Sequence, residues 1–215
     1  MQKKILLAIV ILFSFTTVVN AQIKKGAVLL GGGLGFTAQK STSAGSASGK
    51  QTNITVMPAF GKAIKDNLVV GADINYSYYK NDNSYTAKSN TYGLGLFIRQ
   101  YKELGKGFYL FGQARAGASY NKQNNHDYNN GNSTDIDVVK GFTVQAGLYP
   151  GIAYAVSKKF QLETGFNNLV YAEFDHSKST PFNASVPETK TNSFSLGTSL
   201  SNFSGVTIGF RVLLN

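Results

Sequence analysis

Seven polar residues sit where an otherwise apolar or glycine-rich pattern makes them conspicuous: Asp73, Arg99, Gln113, Arg115, Gln145, Glu163 and Arg211. Arg99, Arg115 and Arg211 are the only arginines in the chain, and each lies inside a run of alternating apolar residues. An arginine grips a carboxylate with a planar, two-pronged fork and stays charged where water is scarce. Asp73 with Arg99 and Glu163 with Arg211 are the two acid–arginine pairs expected on adjacent strands, with Gln113, Arg115 and Gln145 completing a polar network. Such a network is either a structural plug that satisfies buried polar groups or the lining of a narrow passage.

Other chemistry is poorly supported. His126 and His176 are the only histidines, and Asp175 and Ser177 flank the second. A hydrolytic triad needs its base and nucleophile within hydrogen-bond reach, whereas neighbours in an extended chain point to opposite faces. Asp127, Asp135 and Asp137 lack the spacing of a calcium loop, and Gly31, Gly32, Gly33 and Gly35 lack the G-K-S/T ending of a phosphate loop. No cysteine is present for a disulfide, a thiolate metal site or a nucleophile. No catalytic residue, cofactor or metal is therefore expected.

The elements that must position these groups are strands. From Thr91 to Asn121, Tyr92, Leu94, Leu96 and Ile98 alternate with Thr91, Gly93, Gly95 and Arg99; then Phe108, Leu110, Ala114, Ala116 and Ala118 alternate with Gln113, Arg115, Gly117 and Ser119. Period two with a link rich in Gly and Lys reads as a β-hairpin. Further strands are expected at 26–38, 52–62, 68–79, 141–156, from Phe160 to an irregular point near Asn167 and Asn168, and over 205–214, with 194–202 as its extension or a separate piece. Pro58 inside the second strand calls for a bulge or a strand end. Links at 39–51, 80–90, 122–140 and 175–191 are long, whereas 63–67, 102–107 and 157–159 are short.

One parity of every well-defined strand is uncharged over about the 9 to 11 residues that cross a bilayer. The charges fall on the glycine-rich parity. A charge on a lipid-facing midplane position costs about 2 to 4 kcal/mol, so the charged parity is the lumen and the apolar one faces lipid. Tyr76, Tyr78, Tyr92, Phe108, Tyr154 and Phe160 are expected to form aromatic girdles. Short links on one side and long ones on the other give eight strands with both termini in the periplasm.

Residues 1–21 read as a Sec signal: Lys3 and Lys4, an apolar run from Ile5, and Val19-Asn20-Ala21 before cleavage at Gln22. Without Lys3 and Lys4 the chain carries 19 basic against 11 acidic residues, a net charge of +8. The lysines lie at strand ends and in links, so no basic stripe suited to a nucleic acid exists. The NAQ signal ending, the FIRQY…FYLFGQ hairpin and the terminal Gly-x-aromatic strand resemble the outer-membrane β-barrel (porin-like) domain family, whose small members share the OmpA/OmpX-type eight-stranded architecture. The resemblance covers residues 22–215, although Asn215 stands where such barrels usually end in an aromatic. It implies an all-β, antiparallel up-and-down barrel in the outer membrane of a Gram-negative envelope. The partners it implies are lipid and lipopolysaccharide, the barrel-assembly machinery and a possible extracellular ligand of the loops, around a monomeric, non-enzymatic protein. The role expected is structural or surface-interactive, with a small-solute porin as the alternative and a lipid A-modifying enzyme behind it.

Overall fold

The computed structural model describes residues 23–41, 49–82, 85–129, 132–166, 169–183, 185–198 and 206–214. The signal segment, Asn167, Asn168 and Asn215 lie outside the described residues. Ten strands follow in order: β1 (Val28–Ser41), β2 (Gly49–Lys65), β3 (Leu68–Asp82), β4 (Tyr85–Gly105), β5 (Phe108–Asn129), β6 (Asn132–Ala155), β7 (Phe160–Phe166), β8 (Val170–Pro181), β9 (Thr189–Gly197) and β10 (Val206–Leu214). All pairings are antiparallel, and they run β5-β4-β3-β2-β1-β10-β7-β6 with β6 returning to β5. The chain is a closed eight-stranded β-barrel.

Eight staves arise from ten strands because two staves are in two pieces. β7 and β8 pair successively with β6, while β10 and β9 pair with β7 and β8 in turn. The segment expected at 194–202 thus begins inside β9, a strand distinct from β10.

Following paired residues once around the ring gives the stagger: Ile152, Thr164, Ile208, Leu34, Val56, Tyr76, Tyr92, Tyr120 and then Phe142. The path leaves β6 at residue 152 and returns ten residues away at 142. At about 3.3 Å per residue and about 4.8 Å between strands, this stagger tilts the strands by roughly 40°.

The strands are longer than the alternation predicts. Residues 80–90 continue the ladder from Lys80↔Lys88 to Asp82↔Thr86, and 122–140 form the end of the β5–β6 ribbon out to Asn129↔Asn132. β8 runs to Pro181 and β9 starts at Thr189, so the loop expected at 175–191 contracts to 182–188. Backbone pairing persists there although both faces are polar. Pro58 is accommodated without a bulge: the β2–β3 ladder skips Met57 and Pro58 and resumes in the same register at Ala59↔Asp73.

The short-turn end is stitched and sealed. Positive φ at Asn67 (61°), Gly105 (91°), Lys106 (53°) and Gly107 (82°) turns two of its hairpins. Ile23 carbonyl accepts from Asn67 N–H at 2.8 Å, and Lys159 carbonyl accepts from Leu213 N–H at 2.8 Å. Inside this end, Ile23, Leu29, Val69, Tyr101, Tyr109, Ala153, Ala155 and Leu213 form a buried apolar core, with Phe97 and Phe111 above it. The alternation places the charged parity in the lumen, and at this end the same parity turns apolar. Val69, Tyr101, Tyr109 and Phe111 share the parity of the charged residues, and they close the lumen with side chains.

Candidate functional site in the lumen

Above the apolar seal the inward parity turns charged. Asp73, Arg99, Glu163 and Arg211 are buried, and Arg115 nearly so. Removing charges from water is costly unless each finds a partner, and here each does.

Glu163 on β7 is the lower hub. Arg99 Nη1 reaches it across the lumen, donating to Oε1 at 2.7 Å and Oε2 at 2.8 Å, and Tyr101 Oη donates to Oε1 at 3.0 Å. Arg211 Nη2 approaches Oε2 at 3.5 Å, and its Nη1 donates to the Phe210 carbonyl at 3.2 Å. Arg99 Nε donates to Gln113 Oε1 at 2.8 Å, and its guanidinium stands 4.3 Å from the Phe111 ring centroid. The ring face shields a cation that water does not reach.

Asp73 anchors the upper hub. Arg115 Nε donates to Oδ2 at 2.8 Å and Arg115 Nη2 to Oδ1 at 2.6 Å. The expected Asp73–Arg99 pair is therefore corrected to Asp73–Arg115. Register is the cause: Asp73 lies opposite Gly95, and Arg99 lies opposite Val69, four residues further along β4. Arg115 on β5 instead crosses Gly95. A Cβ there would sit 2.5 Å from Arg115 Nη2, so the missing side chain is what opens the route. The expected Glu163–Arg211 pair exists, but as the longer contact beside Arg99.

Gln145 meets no arginine directly; its Nε2 donates to Glu173 Oε2 at 2.6 Å, its Oε1 accepts from Tyr149 Oη at 3.4 Å, and Thr143 Oγ1 donates to Asp175 Oδ1 at 2.5 Å. Tyr101, Tyr149 and Glu173 also belong to this polar interior, beyond the seven residues that stand out in the sequence. The parity shared by Arg99 and Tyr101 could have revealed the first. Glu173 lies beyond the break in its stave, where parity could not be carried forward. Gln161, fully buried, leaves both side-chain amide atoms without a protein partner. Among the described residues this interior holds a cavity of about 80 Å³ among the arginines and another of about 280 Å³ toward the long loops, bordered by Asn75, Thr91, Ser119, Asn121, Gln145 and Glu173.

Of the aromatic residues, Tyr76 and Tyr92 pack at 5.2 Å between centroids, Phe108 and Tyr154 at 4.7 Å, and Phe160 stacks on Phe210 at 6.3 Å. Tyr78 is half-buried on β3 beside Ile54. His176 pairs with Asn192 at 2.6 Å, on the face of β8 opposite Asp175, so these neighbours form no triad. His126 lies in the β5 ribbon. Asp137 accepts from Asn125 and Ser179, while the side chains of Asp127 and Asp135 lie outside the described residues. Among the described residues no group of three or more potential ligands could hold a metal. At the loop end, Lys178 bonds Glu188 at 2.7 Å and holds its carboxyl below the ordinary range.

No protein family and no curated protein matches the chain. Solved structures do resemble it. Neisserial surface protein A is 18% identical over 86% of this chain and 95% of its own, with a TM-score of 0.32. The translocator domain of the autotransporter NalP from Neisseria meningitidis is 17% identical over 80% of this chain and 56% of its own, with a TM-score of 0.43. A major outer membrane protein from Thermus thermophilus is 10% identical over 88% of this chain and 99% of its own, with a TM-score of 0.46.

Proposed function

We propose that this chain is an integral outer-membrane β-barrel protein with a plugged lumen, acting in a structural or surface-interaction role. The observation that carries the reading is an inverted polarity. Leu34, Ile74, Leu94, Leu96 and Ile208 are each more than 60% exposed on the outer wall, while Asp73, Arg99, Glu163 and Arg211 are each less than 9% exposed inside. Water selects the reverse arrangement. A closed barrel leaves no unpaired backbone to lipid along its paired wall.

In the proposed orientation the short turns and both termini face the periplasm, and the long ribbons face outward among lipopolysaccharide. The aromatic pairs would sit at the two interfaces, and the barrel-assembly machinery would insert a monomer. The apolar seal supports a non-conducting lumen, and a non-enzymatic role is part of the same proposal. The test is single-channel recording of refolded residues 22–215 in a planar bilayer, after heat-modifiable gel migration has verified the barrel. Silence is expected. Reproducible steps altered by Asp73 or Arg115 substitution would move a small-solute porin to first place.

A further inference from the structure

Scattered along the sequence, four lysines are brought side by side by the register. Lys122 on β5 pairs with Lys140 on β6, Lys140 with Lys178 on β8, and Lys178 with Lys190 on β9. Residues directly opposite one another share a face of the sheet. That face is the outer one: Lys122 stands two residues beyond Tyr120 and Lys140 two residues beyond Phe142, and both rings are exposed on the outer wall. Lys88 on β4 lies diagonally beside Lys122, because its own partner is Asn124. Three inter-strand steps of about 4.8 Å make the row of four roughly 14 Å long.

Like charges directly opposite one another repel, and this row has little of its own to offset them. Glu188 bonds Lys178 at 2.7 Å and also feels Lys190. Lys122 and Lys140 meet no acid among the described residues. Asp137 and Asp175, on the same strands as Lys140 and Lys178, are on the lumen face and bonded there to Asn125 and Ser179 and to Thr143. An anion laid along the row would offset the repulsion.

The wall beneath supplies the other half of a site. On the same strands, six residues nearer the sealed end, Ala116, Ala146 and Ala172 lie in one row between Leu96 and Leu196. They line an apolar furrow of about 600 Å³ on the outer surface. At about 3.3 Å per residue and roughly 40° of tilt, six residues span roughly 15 Å of depth, half of a hydrocarbon core of about 30 Å. Lysine stems lie against apolar surface at such an interface while their ammonium groups reach the headgroups.

We propose that this face of β5, β6, β8 and β9 binds one phosphorylated, multi-acyl glycolipid of the outer leaflet, with two phosphates along the lysine row and an acyl chain in the furrow. The row is long enough for two phosphates to be held at once, each between a pair of point charges. The furrow, one leaflet deep below the row, separates this ligand from a soluble phosphate.

The inference rests on the outward placement of the long ribbons proposed above. The full chain, refolded in non-ionic detergent, is titrated with bisphosphoryl lipid A, with the same lipid stripped of both phosphates, with dioleoyl phosphatidylglycerol and with inorganic phosphate, and native mass spectrometry counts the bound molecules. Saturable 1:1 binding of bisphosphoryl lipid A is expected. It should weaken at least tenfold in K122Q/K140Q/K190Q and stay unchanged in K62Q/K102Q/K158Q, which removes three exposed lysines from the short-turn end. A116L/A146L fills the furrow, leaves the lysines in place, and should weaken binding at least threefold. Equal loss in the two lysine triples would reduce the effect to net charge and overturn the site. Equal binding of the dephosphorylated lipid or of phosphatidylglycerol, displacement by equimolar inorganic phosphate, or binding unchanged in A116L/A146L would overturn the assignment of the ligand. Loss of heat-modifiable migration in the parent chain would refute the barrel, whereas a folded barrel that ignores lipid A would refute this site alone.

Discussion

Glu163 is the acid on which the lower lumen converges, and its removal exposes what it balances. Glu163→Gln keeps the shape but leaves Arg99 and Arg211 facing each other at a site shielded from bulk water. Breaking a buried pair from one side costs about 3 to 5 kcal/mol. The urea midpoint of the variant in detergent micelles should fall accordingly; an unchanged midpoint would mean the arginines are hydrated. Gly95 makes a different kind of statement, because its role is to be absent. Gly95→Val should displace Arg115 from Asp73 and destabilise the barrel, yet add little once Arg115 is already Gln. A double-mutant cycle measures that difference, and additive costs would show that Gly95 matters for some other reason.

Between residues and the whole, the ribbons beyond the aromatic pairs are the elements whose extent sequence reading underestimates. The β5–β6 ladder runs from Asn121↔Gly141 to Asn129↔Asn132 on backbone bonds, with polar side chains on both faces. Removing residues 124–137 and joining the ends by a tight turn should leave heat-modifiable migration intact and lower the melting temperature by only a few degrees. Collapse of the barrel would show that the ribbon nucleates it. The same physics explains what was legible. Where one face meets lipid and the other the lumen, as over 91–121, hydrophobicity alternates and the strand announces itself. Where both faces are wet, alternation vanishes while the ladder continues. Stagger, too, is invisible in a single strand. Asp73 and Arg99 were neighbours by strand order, and only the register with Gly95 and Val69 shows that Arg115 is nearer. The apolar seal was present in FIRQY and FYLF, whose inward positions carry Phe97, Tyr101, Tyr109 and Phe111. The charges on the same parity mask that apolar pattern.

For the molecule as a whole, the inverted polarity makes a quantitative demand on its solvent. Leu96→Arg places a charge on the outer wall and should cost about 2 to 4 kcal/mol when folding is measured into lipid bilayers. Ser119→Arg, on the lumen face beside the larger cavity, should cost distinctly less. Equal costs would contradict the assignment of inside and outside. The tilt and the long strands also set a reach. From Tyr120, the nine residues to Asn129 rise about 3.3 Å each at roughly 40° of tilt, which carries the ribbon tip roughly 20 Å past the aromatic level. The ribbon is flanked by β4 to Asp127↔Tyr85 and by β8 to Pro181↔Asp137, so it stands as a stiff mast rather than a slack tether. In the proposed orientation, a visitor to the cell surface would touch the end of this ribbon well before it touched lipid. Because the backbone of the ribbon is laddered as far as Asn129↔Asn132, little freedom is lost on contact along it, and a small footprint could serve as a firm handhold.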